Sequence, residues 1–178
     1  GSDSGIGFSI AMTTRAPRTG EKDGRDYHFV DVKDFLGRVS RGEFLEWAEV
    51  HGNYYGTSKH WIEAEMTAGR DVVLEIDWQG AQQVRRAFPA AISVFILPPS
   101  LEALNDRLSG RGTDSAKTIA RRIAAAREEM RHVDEFDYVI INDDLQQAHD
   151  NLLSVISASR LEYATQRQRH SALFATLL

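Results

Sequence analysis

From Asp71 onward the chain alternates apolar runs with amphipathic stretches, and this rhythm limits the folds open to it. "DVVLEID" (71–77), "ISVFILPP" (92–99) and "YVIIN" (138–142) read as strands. Nearly continuous apolar runs of this kind suit strands buried on both faces of a parallel sheet. Between them lie helical patterns. One holds Ala81, Val84 and Phe88, and a second, "LEALNDRLSG", is capped by Ser100. After the polar break "RGTDS", a long helix is expected from Ala116 to about His132, and a last one over much of 144–178. Strand–helix alternation of this type specifies an α/β domain with a parallel sheet. At 178 residues the chain is one compact domain, or one with a lobe inserted.

The stretch before Asp71 has a different texture, rich in short strands. "IGFSIAM" (6–12) and "YHFV" (27–30) read as strands. Asp31 is placed to cap a helix through about Arg41, with Phe35, Leu36 and Val39 on one face and Gly42 ending it. "FLEWAEV" and "NYYGTS" read as a hairpin around His51-Gly52. Ser58 is the expected cap of a further helix to Ala68, stopped by Gly69.

Composition removes several classes of function. The net charge of −5 argues against a nucleic-acid binder driven by bulk charge. The absence of cysteine rules out disulfides, thiolate metal sites and thiol nucleophiles. No apolar run approaches membrane-spanning length, and nothing near Gly1 reads as a signal peptide.

The chemistry concentrates in four places. "TTRAPRTGEKDGRDYHFV" (13–30) puts Arg15 and Arg18 three residues apart around Pro17, which stiffens the backbone between them. Guanidinium forks held this way suit a small anion, carboxylate or phosphate. The plainer alternative is a solvated loop whose arginines pair with Glu21, Asp23 and Asp26. In "LEIDWQG", Glu75 and Asp77 are two apart at the end of an expected strand, hence on one face, where open α/β sheets bind ligands. Asp77 could instead simply cap the helix beginning near Trp78. Glu46, flanked by Phe44, Leu45 and Trp47, is either a buried carboxylate in need of donors, such as the two on one edge of guanine, or a solvent-facing residue of an alternating strand. "NYYGTS" adds the hydroxyls of Tyr54, Tyr55, Thr57 and Ser58. Finally, Arg107, Arg111, Arg121 and Arg122 surround the glycine-bearing "SGRGTDS", an arrangement suited to a lid closing over phosphates; for Arg121 a solvated helix surface is the better reading.

Taken together, "TTRAPRTGEKDGRDYHFV", "FLEWAEVHGNYYGTS", "LEIDWQGAQQV", "FILPPSLEALNDRLSGRGTDS" and "VIINDD" closely resemble the guanylate kinase family, in order and spacing, from about Phe8 onward. The resemblance implies a P-loop kinase fold: a GMP-binding lobe over 6–70, a core over 71–110 and 123–178, and a lid over 111–122. It implies transfer of the ATP γ-phosphoryl group to GMP with Mg²⁺, in a cytoplasmic monomer or homodimer with no membrane or nucleic-acid partner. By position, Arg15, Arg18, Glu21, Tyr27 and Tyr55 belong to the GMP site on its phosphate side, and Glu46, Thr57 and Asp77 read guanine. Glu75 lies near the metal and the transferring phosphate, Arg107, Arg111 and Arg122 face the ATP phosphates and the transition state, and Asn142 sits by adenine. Two departures stand out. Ala11 occupies a position where the family often has serine, and no Gly-Lys-Ser/Thr P-loop precedes Ile6. The expectation is that an upstream strand, P-loop and helix complete the enzyme and that residues 1–178 alone are inactive as a kinase. The competing reading is a non-catalytic guanylate-kinase-like module that binds phosphopeptides.

Overall fold

The computed structural model describes residues 5–110 and 116–178. The chain divides into two compact units, one running to Ala91 and the other beginning at Ile92. Both the stretch over 6–70 and Asp71–Ala91 lie within the first unit.

The first unit carries two sheets. β1 (Ile6–Phe8) pairs in parallel with β6 (Asp71–Val73). A four-stranded sheet has the order β3-β2-β5-β4, from β2 (Met12–Thr13), β3 (His28–Phe29), β4 (Phe44–Val50) and β5 (Asn53–Ser58). β4 and β5 form the expected hairpin, with both turn residues, His51 and Gly52, at positive φ. α1 (Val32–Ser40) and α2 (Lys59–Thr67) begin at the expected caps, Asp31 and Ser58, whose side chains accept from Asp34 N–H and Trp61 N–H. Gly42 and Gly69, both at positive φ, follow their ends. Phe35 of α1 is fully buried against Phe44 and Tyr54, ring centroids 4.6 and 5.5 Å away. Gly56 lies under this stack, where a Cβ would come within 2.9 Å of the Phe44 ring. α3 (Trp78–Ala87) is tied to β4 by Gln83, which accepts from Trp47 N–H at 3.2 Å and donates to Trp47 C=O at 2.8 Å.

In the second unit β7 (Val94–Leu97) pairs in parallel with β8 (Tyr138–Ile141). α4 (Leu101–Ser109) starts at Ser100, whose hydroxyl accepts from Ala103 N–H. α5 (Ala116–Glu129) is followed by a 3₁₀ helix, Met130–Glu135. α6 (Leu145–Ser159), α7 (Tyr163–Arg169) and α8 (Ser171–Leu177) complete it.

Several expectations need correction. "IGFSIAM" is not one strand. Ser9 N–H makes the last bond to Val73, and the chain then changes sheets, so that Met12 and Thr13 pair with β5. "DVVLEID" is a strand only to Val73, because its partner β1 is three residues long. Glu75 and Asp77 therefore sit in the connection to α3, and the strand-face argument for them fails. Nor are the apolar strands covered on both faces among the described residues. Ile140 is buried, while Val139 and Ile141, pointing the other way, are about half exposed. The long helix after the polar break turns 3₁₀ at Met130, and the final helix is three helices, interrupted at 160–162 and at His170. Arg111 and the rest of the polar break at 111–115 lie outside the described residues.

Candidate active site

Between β2 and its parallel neighbour β3 the chain runs through the arginine loop, which is folded on itself by its own acids. Asp23 accepts from Phe29 N–H at 2.9 Å and Asp26 from Lys22 N–H at 2.8 Å. Gly20 and Gly24 supply the positive φ values of its turns. Glu21 ties the two arginines together. One carboxylate oxygen accepts from Arg15 Nη2 at 2.8 Å, and the other accepts from the backbone N–H of Arg18 at 2.7 Å. Of the pairings expected for a solvated loop, that of Arg15 with Glu21 forms and holds the guanidinium in place.

The Arg15 guanidinium is 14% exposed and stands over the rings of Tyr27 and Phe29, at 5.4 and 5.9 Å. Glu21, and then the Tyr55 hydroxyl, raise its pKa above the ordinary arginine value. Conversely, the Arg15 guanidinium and the Arg18 N–H hold the Glu21 carboxyl below the usual range. Burial pushes the Tyr27 phenol up, with the Tyr55 phenol and the Glu75 carboxylate adding to the rise. The Arg18 side chain is different. It is exposed and has no hydrogen-bond partner among the described residues, so its fork is available to an incoming anion.

Glu46 settles the second question. A register shift between Phe44 and Glu46 precedes it, and from there the strand alternates, with Glu46 and Ala48 buried and Trp47 and Glu49 outward. Only 4% of Glu46 is exposed, so the solvent-facing alternative is excluded. Its neighbour across the ladder, Thr57, is 1% exposed and donates to the carboxylate from its hydroxyl and its backbone N–H. Burial nevertheless raises the Glu46 pKa, and the nearby Asp77 carboxylate raises it further. Asp77 does cap α3, accepting from Gly80 N–H at 2.9 Å, and also from the Gln79 amide at 3.0 Å. Capping and a place beside Glu46 are therefore compatible.

The two clusters share one sheet face. Thr13 and Ala48 are register partners of Tyr55, Glu46 is the partner of Thr57, and Tyr55 and Thr57 are two apart on β5. Arg15, Glu21, Tyr27 and Tyr55 therefore gather toward one end, and Glu46, Thr57 and Asp77 toward the other. Glu75 is exposed and makes no hydrogen bond among the described residues; its link to the site is its field at Tyr27.

The remaining predicted residues lie in the second unit. Arg107 of α4 donates to the carbonyls of Asn142 (2.7 Å) and Asp143 (3.1 Å), just past β8. Asn142 N–H donates to Leu97 C=O at 2.8 Å, and Arg122 is a half-buried residue of α5. A depression of about 480 Å³, lined by Arg38, Glu43, Lys59, His60 and Glu63 among others, is a separate surface. Its cations already pair with acids, Arg38 with Asp34 and Glu43, and Lys59 with Glu63.

Residue-type reasoning overlooked Thr13, Phe29, Gln83 and Gly80. Thr13 is fully buried and accepts from Arg15 N–H at 3.2 Å. Phe29 backs the Arg15 guanidinium. The one local signal was Gly80, a poor helix former in the first turn of a helix.

Comparison with known proteins identifies the family. The family model for guanylate kinase matches residues 2–159. The guanylate kinase of Dechloromonas aromatica is 62% identical over 176 residues, covering 99% of this chain and 87% of that protein. That of Aromatoleum aromaticum is 63% identical over 172 residues, covering 97% and 84%. The crystal structure of guanylate kinase from Anaplasma phagocytophilum superposes with a TM-score of 0.79 at 35% identity, covering 93% of this chain and 85% of that one, which gives the fold as the α/β P-loop kinase type. With the family model spanning most of its length and relatives this similar, the chain belongs to the guanylate kinase family.

Proposed function

We propose that the chain is an ATP:GMP phosphotransferase whose first unit holds GMP along one sheet face. The carrying observation is the buried Glu46 carboxylate beside Thr57 and Asp77, on the face that also presents Arg15 and Tyr55. Guanine offers N1–H and a 2-amino group on one edge, and an ionised carboxylate accepts both. Thr57 and Asp77 flank that edge. Arg15, Arg18, Tyr27 and Tyr55 take the GMP phosphate, with Glu21 positioning the arginines rather than meeting the ligand. A phosphopeptide module would use the anion clamp but has no need of a buried base-reading carboxylate.

In the reaction a GMP phosphate oxygen attacks the γ-phosphorus of ATP, the bond from that phosphorus to the β–γ bridging oxygen breaks, and GDP and ADP leave. Catalysis of this kind is positioning and charge stabilisation. Arg107, Arg111 and Arg122 serve the ATP phosphates and Asn142 the adenine. The lobe over 6–70, the core over 71–110 and 123–178 and the lid over 111–122 divide these tasks. Among the described residues no three His, Asp or Glu side chains are grouped as a metal cage. Mg²⁺ would arrive as part of MgATP, with Glu75 as the carboxylate near it. No helix among the described residues is long and apolar enough to cross a membrane. The proposed setting is the cytoplasm, as monomer or homodimer.

The test is GMP-dependent formation of ADP from MgATP, with AMP as the competing acceptor. Turnover with GMP but not AMP is expected. Equal turnover with both acceptors would remove the guanine-reading role of Glu46.

A further inference from the structure

Gly80 lies in the first turn of α3, is buried, and faces the Glu46 carboxylate. A Cβ built on it would stand 2.5 Å from Glu46 Oε2, 3.3 Å from Glu46 Cδ and 3.2 Å from Ile76 Cβ. Its N–H donates to the Asp77 carboxylate at 2.9 Å. One residue therefore touches both acids that read the base, binding one through its amide and admitting the other through its missing side chain. The Gln83 clasp on Trp47 fixes α3 against β4 on the same side, so the helix cannot simply withdraw. Glu46 has little room as well, being 4% exposed and hydrogen-bonded to Thr57.

We propose that Gly80 is a specificity-determining positioning residue, whose lack of a side chain lets the start of α3 close on Glu46 and sets the spacing between the Glu46 and Asp77 carboxylates. This rests on the reading of those two acids as the guanine-recognition pair. The backbone at Gly80 is ordinary helix, so glycine is not required there for its conformation. Alanine would favour the helix itself. Its cost falls on the flexible end of Glu46, which must move out of the geometry that two guanine donors need.

The experiment is calorimetry of GMP and AMP with Gly80→Ala, Glu46→Gln and the double variant, alongside melting temperatures. Gly80→Ala is expected to weaken GMP at least fivefold while AMP stays within twofold. In the Glu46→Gln background the same change is expected to weaken GMP by a smaller factor, since the side chain it displaces then meets only one guanine donor. An unchanged GMP affinity in Gly80→Ala, or an equal loss in both backgrounds, would overturn the inference and leave the functional reading in place. If Glu46→Gln itself leaves the GMP preference intact, the functional reading fails and the inference with it. Should Gly80→Ala melt below the assay temperature, adding Glu46→Asp, which draws the carboxylate back from the new methyl, is expected to restore the fold. Failure to restore it would place the clash at Ile76 and refute the proposal.

Discussion

Glu46→Gln separates a recognition role from a structural one more sharply than any other single substitution in this chain. The carboxylate is 4% exposed, receives the Thr57 hydroxyl and amide, and lies near Asp77. Glutamine keeps the shape and one acceptor, so one guanine donor is still met while the other faces an amide N–H₂. The loss is one charge-assisted bond, worth about 1.5–3 kcal/mol, or roughly 10- to 150-fold in GMP affinity. AMP has no matching donor pair on that edge, so its weak binding should change little and the GMP-over-AMP ratio should fall by nearly the full factor. Stability moves the other way. The folded-state pKa of Glu46 is raised, so the native protein binds this proton more readily than the unfolded chain does. Its contribution to stability therefore declines as pH rises from the ordinary carboxylate range through the raised value, and above that value the charge carries its full cost. Removing that charge should hold or raise the melting temperature on the alkaline side of that decline. Calorimetry with both nucleotides and a thermal melt on the same samples make the measurement. A collapsed melting temperature with an unchanged GMP-over-AMP ratio would refute the reasoning and make Glu46 a structural residue.

Arg18→Ala should weaken GMP at least roughly tenfold, from loss of one charge-assisted contact, and leave the melting temperature alone because its guanidinium is exposed and makes no hydrogen bond among the described residues; titration calorimetry on the folded variant decides this. Arg107→Ala removes both bonds from α4 to the carbonyls after β8 and should cost about 1 kcal/mol, a shift of roughly 2–4 °C in a thermal melt; an unshifted melt would mean those bonds are replaced by water without loss. Guanosine, which lacks a titrating phosphate, should lose affinity on acidification beginning above the usual carboxylate range, because the raised Glu46 must be ionised to accept both donors. The same titration on Glu46→Gln should be flat there, and a persisting acid limb would assign the titration to another group.

Most of the fold was legible because its signals were local. The caps at Asp31, Ser58 and Ser100, the glycines at 42 and 69, and the His51-Gly52 turn each act within a few residues. What misled was pairing. "IGFSIAM" and "DVVLEID" have strand composition throughout, but each keeps its ladder only where the other supplies a partner, and that spans three residues. Composition cannot reveal where a partner stops. The helix breaks at 160–162 and His170 carry neither glycine nor proline, the usual local marks of an ending. In the site, arginine, tyrosine and acid positions were readable by chemistry, whereas Gly80 and Thr13 matter through close approach and burial. These are properties of the neighbours rather than of the residues themselves.

The two halves of the site stand in opposite electrostatic conditions, and this bears on how recognition is divided. At the phosphate end the Arg15 charge is already answered by Glu21, and the Tyr27 and Phe29 rings support its guanidinium. An arriving phosphate would therefore find Arg15 preorganised but partly neutralised, and the Arg18 guanidinium exposed and without a hydrogen-bond partner among the described residues. At the base end the balance is reversed. Burial, and then the nearby Asp77 carboxylate, raise the Glu46 pKa, and Thr57 offsets only part of this excess. A ligand that brings two donors to Glu46 relieves that excess, while one that brings acceptors increases it. On the proposed reading, discrimination between purines would reside in the base end, and the phosphate end, internally compensated, would contribute affinity and aim that do not depend on the base.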